Sequence, residues 1–144
     1  MKINDDLIHR MRSFNRFYTN VIGVVNQHIL DSQHSLTEAR VLYEISNMKD
    51  CSAKKIRENV EIDEGYLSRI IGKFIRKGLV KKIRSENDRR TRIVILTEKG
   101  KREFAKLDTG SSKSVYKAVE KLSQKERKEL VGLMERIRVL LTKA

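Results

Sequence analysis

The chain has 144 residues, of which 39% are apolar, and its 32 Lys and Arg residues exceed its 19 Asp and Glu residues to give a net charge of +13. This length predicts one ordinary domain, and the absence of any apolar run of about 18 residues argues against a transmembrane helix. A single cysteine, Cys51, excludes an internal disulfide, and one Cys with three scattered His residues is too few for a closed zinc site. With no secretion signal at the N-terminus, we expect a cytoplasmic protein without a metal or other cofactor.

The positive charge lies in the C-terminal two thirds of the chain. Residues 1–50 carry six basic and six acidic residues, whereas residues 51–144 carry 26 basic and 13 acidic residues. Residues 52–102 alone have a net charge of +9, from 16 basic and 7 acidic residues. A concentrated basic block favours a polyanionic partner, most often nucleic acid. The alternative is a solvated, lysine-rich surface that serves solubility alone.

Apolar residues spaced by three and four predict three helices before residue 61. The first is long and runs from Asp5 to Ile29. The second starts near Thr37, after the capping-box sequence Ser35-Leu36-Thr37-Glu38. The third is short and opens at Ser52.

A fourth helix, capped by Asp63 and ended by Gly78, carries an apolar stripe on one side and cations on the other. A short helix, a turn and an amphipathic helix with a basic outer face are typical of a helix-turn-helix, whose second helix enters the DNA major groove. Glycine costs a helix interior about 1 kcal/mol relative to alanine, so Gly72 on the outer face needs a reason. The residues predicted to contact the major groove and its phosphates are Gly65, Tyr66, Ser68, Arg69, Lys73 and Arg76.

Two strand-like segments, Leu79–Ser85 and Arg92–Thr97, follow this helix and predict a hairpin with an arginine-rich tip. Arginine suits the DNA minor groove, where narrow A·T tracts concentrate negative potential. We therefore expect the tip to enter that groove, with an Asp88 carboxylate holding the Arg90 guanidinium. An ordinary exposed turn is the alternative. The predicted tip residues are Asp88, Arg89, Arg90 and Arg92, and Ile83, Ile93 and Ile95 are expected to anchor the strands.

Two more helices complete the chain. Thr97 is expected to cap the first, which the weak helix sequence 108–112 is expected to break or kink. The last helix starts at Ser123, with Glu126 completing a second capping box. The apolar stripes on the first and last helices are wider than one small domain would easily cover, which favours a homodimer. The alternative is that each is an internal core helix.

Asp88-Arg89-Arg90, followed by Leu96-Thr97-Glu98-Lys99-Gly100, resembles the D-x-R and L-T-x-x-G signature of MarR-type winged-helix regulators. The segment Gly65-Tyr66-Leu67-Ser68-Arg69 also resembles the subgroup in which a MarR-like half is fused to a GNAT-type acetyltransferase. The resemblance implies a mainly α fold with a small β-hairpin wing, in which dimerisation helices flank a winged helix-turn-helix. It implies one domain over residues 1–144, with a DNA-binding lobe at about 36–100 and a dimerisation region at about 1–32 and 101–144.

The resemblance further implies a sequence-specific transcriptional repressor that binds a palindromic operator in double-stranded DNA as a homodimer. It implies relief of repression by a small aromatic effector. The candidate lining residues of the effector pocket are Phe14, Phe17, Tyr18 and Tyr43, for which a place in the hydrophobic core is the alternative.

Two alternatives stay open: a non-specific architectural DNA-binding protein, and the DNA-binding half of a bifunctional acetyltransferase regulator. Charge alone would serve the first, and the second requires a further domain. The sequence has no nucleophile placed with His and an acid, no phosphate-binding glycine loop and no metal-ligand cluster, so we expect no enzyme activity.

Overall fold

The computed structural model describes residues 3–143, except for the side chains of His28 and Leu30. It is mostly helical with one small antiparallel hairpin, which confirms the predicted fold class. The elements are α1 (Asp5–Val25), α2 (Gln27–Leu30), α3 (Leu36–Asn47), α4 (Ala53–Asn59), α5 (Glu64–Arg76), β1 (Val80–Arg84), β2 (Arg92–Leu96), α6 (Glu98–Val119) and α7 (Gln124–Leu141).

The chain divides into two compact units. One unit comprises Asn26–Ser111 and contains α2 to β2 with the first part of α6. The other consists of α1 and the chain from Ser112 onward, which includes α7. The predicted DNA-binding lobe, residues 36–100, lies within the Asn26–Ser111 unit.

Side-chain caps begin the helices where the sequence predicts them. The hydroxyls of Ser35 and Ser123 accept hydrogen bonds from the backbone N–H groups three residues on, and both capping boxes are complete. Ser52 caps α4 and the Asp63 carboxylate caps α5 in the same way. Each cap satisfies a helical N–H group that has no partner within the helix, which is worth about 1 kcal/mol.

Two predicted helix boundaries are wrong. The first helix ends at Val25, and Asn26 adopts φ −90° and ψ 4° before the short α2, a turn conformation that asparagine tolerates well. Helix α6 continues through residues 108–112, where a break or kink was predicted, so the predicted break is absent. Each weak helix former costs less than about 1 kcal/mol, and the flanking turns, with Leu107 buried in the core, outweigh that cost.

The core of the Asn26–Ser111 unit anchors α5 and the hairpin together. Phe74 and Leu67 of α5 are fully buried. Strand β1 pairs with β2 in the register Val80↔Leu96 to Arg84↔Arg92, and the N–H of Val94 donates to the carbonyl oxygen of Cys51 at 2.8 Å. Ile93 is buried as expected, whereas Ile83 is 37% exposed and contributes little anchoring. The side chains that form this core are Val41, Leu42, Ile45, Cys51, Ile56, Leu67, Ile70, Ile71, Phe74, Leu79, Val80, Val94, Leu96 and Leu107.

The unit that contains α1 and α7 leaves large apolar side chains in solvent. Neither α1 nor α7 contains a buried residue. Within the described part of the chain, no helix is both long and apolar enough to cross a bilayer. The exposed apolar residues of α1 and α7 include Met11, Phe14, Phe17, Val24, Val131, Leu133, Met134, Ile137 and Leu140.

Candidate nucleic-acid interface

Helix α5 presents a buried apolar face and an exposed polar face. Leu67, Ile70, Ile71 and Phe74 hold the helix against the core. Since these residues repeat every three or four positions, the residues between them must point outward. Gly65, Tyr66, Ser68, Arg69 and Arg76 are exposed, and Lys73 is half-buried.

The Arg69 guanidinium lies 5.8 Å from the centre of the Tyr66 ring, which places the two side chains as a stacked pair at the N-terminal end of α5. A cation over an aromatic face is attracted by roughly 0.5–1 kcal/mol at an exposed site. The contact limits the directions available to Arg69 without using its N–H donors. Among the described residues, no carboxylate lies within 4 Å of the guanidinium of Arg69 or Arg76. Both cations are therefore available to an external anion.

Gly72 leaves room for the side chain of Arg76. A Cβ atom at position 72 would lie 3.3 Å from Nη1 of Arg76. The guanidinium thus folds back along the helix, over a position that has no side chain. Because that guanidinium is the end of a flexible side chain, it could shift to make room for a methyl group, and the contact does not by itself require glycine.

Lys73 differs from the other cations of α5 because it already has a partner. Its ammonium lies 3.0 Å from Oε2 of Glu38 on α3. Burial raises the pKa of the Glu38 carboxyl, but the Lys73 ammonium and the backbone N–H of Ser35 outweigh burial and hold the pKa below its ordinary value. The sequence reading missed this pair because its members are far apart along the chain.

The tip of the hairpin is shaped by Asp88. Its Oδ1 accepts the backbone N–H of Arg90 at 3.0 Å, and its Oδ2 accepts the hydroxyl of Thr91 at 3.0 Å. The N–H of Ser85 closes the turn by donating to the carbonyl oxygen of Thr91. Asp88 therefore orders the backbone of the tip, rather than holding the Arg90 guanidinium as the sequence reading proposed.

The hairpin gathers cations that have no internal counter-charge. Arg84 and Arg92 lie directly opposite each other in the β1–β2 register, and the tip residues Arg89 and Arg90 are exposed. Like charges opposite each other destabilise a strand pair. None of these four arginines is within 4 Å of a carboxylate in the described residues. The cluster therefore suits an external polyanion.

Thr97 and Gly100 fasten the start of α6 to the junction between α5 and β1. The Thr97 hydroxyl donates to the carbonyl oxygen of Gly78 at 2.6 Å and accepts the N–H of Gly100, while the N–H of Thr97 donates to the carbonyl oxygen of Leu79. A Cβ atom at position 100 would lie 2.0 Å from that Leu79 oxygen. This joint explains the L-T-x-x-G pattern: the threonine caps the helix, and the glycine allows the two backbones to approach.

A groove of about 440 Å³ lies within the Asn26–Ser111 unit. The predicted pocket residue Tyr43 lines it, and so does Phe104, which the sequence reading did not single out. Phe14, Phe17 and Tyr18, the other predicted pocket residues, lie on α1 in the other unit, where Phe14 stacks on Tyr18 with ring centres 5.6 Å apart. The groove is lined by Asn26, Ile29, Leu36, Ala39, Arg40, Tyr43, Phe104, Leu107, Asp108 and Ser111.

Cys51 is part of the core. Its side chain is 1% exposed, and burial, with a smaller contribution from the nearby Glu44 carboxylate, raises the pKa of its thiol to about 11. Because the thiolate is the reactive form, we expect native Cys51 to react with a thiol-specific disulfide reagent at neutral pH far more slowly than free cysteine. Absorbance stopped-flow with and without denaturant checks this, and rapid labelling of the folded protein would contradict it.

Comparisons with known proteins agree with this architecture. The MarR family model matches residues 35–91. The HTH-type transcriptional regulator BilQ of Clostridium symbiosum (strain WAL-14163) is 31% identical over 97 residues, which are 67% of each protein.

Solved structures share the fold over nearly the whole chain. A MarR family protein from Bacillus stearothermophilus superposes with a TM-score of 0.82 at 15% identity, covering 99% of this chain and 100% of its own. Streptococcus pneumoniae FabT, solved in complex with DNA, gives a TM-score of 0.78 at 20% identity, covering 93% of this chain and 96% of its own. With the winged-helix elements described above, the family match and the BilQ relative show that the chain belongs to the MarR family of transcriptional regulators and has its DNA-binding fold.

Proposed function

We propose that the protein is a homodimeric transcriptional repressor that binds a palindromic operator and is released from it by a small aromatic ligand. The observation that carries this proposal is the coexistence, on one compact unit, of an exposed cationic α5 face and an exposed arginine-tipped hairpin. Neither the α5 arginines nor the tip arginines are neutralised by a carboxylate in the described residues. The DNA complex of the similarly folded FabT supports the same use of the fold.

In this proposal α5 occupies the major groove. Tyr66, Ser68 and Arg69 contact base edges near the N-terminal end of α5, where Gly65 allows close approach, and Arg76 contacts phosphate. Arg90 of the hairpin enters the adjacent minor groove. Arg89 and Arg92 contact the flanking phosphates, and Asp88 keeps the tip in shape.

The apolar side chains that α1 and α7 expose support the proposed homodimer. Met11 and Phe17 of α1 are 60% and 63% exposed, and Val131 and Leu133 of α7 are 53% and 56% exposed. Exposed apolar side chains that form a large patch mark association surfaces. A twofold dimer would present two copies of α5 to half-sites about one turn of DNA apart, which explains the expected operator symmetry.

The groove lined by Tyr43 and Phe104 is the proposed effector site. Its volume of about 440 Å³ is within the range of ligand pockets, and its walls combine aromatic and aliphatic side chains with the polar groups of Arg40 and Asp108. The α1 aromatics Phe14, Phe17 and Tyr18 remain predicted lining residues. A titration with benzoate-type acids, followed by NMR of selectively labelled Phe and Tyr, tests both sets.

A competition assay tests the proposed function. DNA from upstream of the protein's own reading frame should be bound at least about a thousandfold more tightly than random-sequence duplex, with a footprint that is symmetric about a centre. Equal affinity for the two DNAs would instead support the architectural alternative. Sedimentation of the free protein as a monomer would contradict the homodimer.

Arg69→Ala is expected to relax base preference. Loss of a bidentate contact to a base lowers the discrimination against the wrong base by about 1–3 kcal/mol. The base preference should therefore relax at one position of each half-site. Binding-site selection from a random library, run on the variant and the wild type, measures the change. Arg69 is exposed and its contact with the Tyr66 ring is worth only roughly 0.5–1 kcal/mol, so the melting temperature should fall by no more than a few degrees. An unaltered selected motif would contradict the assigned role.

A further inference from the structure

Glu38 is held in place by more than its ion pair. Its Oε1 accepts the backbone N–H of Ser35 at 3.3 Å in the capping box of α3. Its side chain is 11% exposed, whereas that of Lys73 is 39% exposed. The carboxylate is therefore a fixed, buried anion, and the ammonium is the mobile partner.

Moving Lys73 onto a DNA phosphate would leave this buried carboxylate without its cation. An uncompensated buried charge is costly, whereas a phosphate contact at the protein surface is weakened by salt. We therefore expect Lys73 to keep its ion pair with Glu38 when DNA is bound. Arg69 and Arg76, on the same helix, face no such competition.

We propose that Glu38 is a specificity-determining positioning residue that keeps Lys73 away from the DNA backbone. This inference rests on the proposed binding of DNA by α5. A lysine that contacts phosphate tightens binding to every sequence equally. By neutralising Lys73 internally, Glu38 removes one such contact per subunit and leaves α5 binding more dependent on contacts to bases.

Glu38→Gln separates this role from the capping role. Glutamine also completes a capping box, so the helix start is preserved while the charge that holds Lys73 is lost. The measurement is fluorescence anisotropy of a labelled random-sequence duplex over a salt titration. Each phosphate neutralised contributes about 0.9 to the slope of log affinity against log salt. We expect the slope to steepen by about 0.9 per subunit, with tighter binding to random DNA. The protein should stay folded with a melting temperature only a few degrees lower, because glutamine keeps the cap but loses the ion pair with Lys73.

Two further variants serve as controls. Glu44→Gln removes another buried carboxylate from α3, 2.9 Å from Nε of Arg40, and changes net charge equally, but it leaves the Glu38–Lys73 pair intact. We expect no change in slope for Glu44→Gln. Lys73→Met should leave the wild-type slope unchanged and should abolish the increase when combined with Glu38→Gln.

Three results would overturn the inference. Glu38→Gln could leave the slope unaltered, Glu44→Gln could steepen it equally, or Lys73→Met alone could reduce it by about 0.9 per subunit, which would make Lys73 a phosphate contact. If the wild-type affinity for DNA falls steeply with salt and Glu38→Gln has no effect on that slope, only the role of Glu38 is refuted. A wild-type protein that does not bind DNA refutes the proposed function as well.

Discussion

Arg90→Ala is expected to weaken operator binding by about 30-fold or more without unfolding the protein. A specific arginine contact is worth about 1–3 kcal/mol, and a twofold dimer would lose two of them. The fold should survive because Arg90 is exposed and its contribution to the turn is its backbone N–H, which Asp88 accepts. Alanine retains that N–H group. Affinity is measured by anisotropy on the operator, and folding by a thermal melt.

Arg102→Ala is the matched control for loss of charge. Arg102 is exposed on α6, so it lies outside both α5 and the hairpin. Its removal lowers the net charge by the same amount, so it should weaken operator binding only slightly. Normal affinity from a folded Arg90→Ala dimer, or an equal loss in both variants, would contradict the wing assignment.

Gly100→Ala is expected to destabilise the protein by at least about 2 kcal/mol, because overpacking against an inflexible neighbour typically costs 1–3 kcal/mol or more. The new methyl group would lie 2.0 Å from the Leu79 carbonyl oxygen and 2.9 Å from the Leu79 carbonyl carbon. The obstacle is backbone, and Leu79 is itself 2% exposed. Relief requires α6 to separate from the α5–β1 junction, which breaks the Thr97 hydrogen bonds to Gly78 and Leu79. Urea unfolding followed by circular dichroism measures the change.

Gly72→Ala is the comparison for this prediction. The atom nearest to its new methyl group is the end of the flexible Arg76 side chain, at 3.3 Å. Alanine favours a helix interior over glycine by up to about 1 kcal/mol, so Gly72→Ala should match or exceed the wild-type free energy of unfolding. If Gly100→Ala proved as stable as Gly72→Ala, the close approach at Leu79 would be wrong.

The boundaries and faces of α5 and the hairpin were predictable because their causes lie in neighbouring residues. Helix α5 begins after Asp63 and ends before Gly78. Asp63 caps the first turn, and Gly78, with φ +74°, ends the last turn, so both residues act only on the turn beside them. The hairpin follows from two β-forming runs around a polar turn. The apolar spacing of α5 correctly places Leu67 and Phe74 in the core.

Some of the errors concern features that depend on distant segments, whereas the error at Asp88 is local. The continuous α6 at 108–112 shows tertiary packing outweighing weak local propensity. Ile83 was expected to be an anchor, but alternation along a strand does not tell which face the rest of the chain will cover. Asp88 was assigned to a guanidinium and instead binds backbone, because the turn brings an N–H group closer than a side chain.

The sequence by itself determined where α3, α4, α5 and the hairpin lie, which face of α5 is basic, and that the hairpin tip is rich in arginine. These properties depend on residues within about four positions along the chain, so they can be read from the sequence. The tertiary structure alone decided which of those cations are free, since Lys73 meets Glu38 across two helices while Arg69 and Arg76 meet no carboxylate among the described residues. It also decided the role of Gly100, because the approach of Leu79 depends on how α6 packs against the α5–β1 junction.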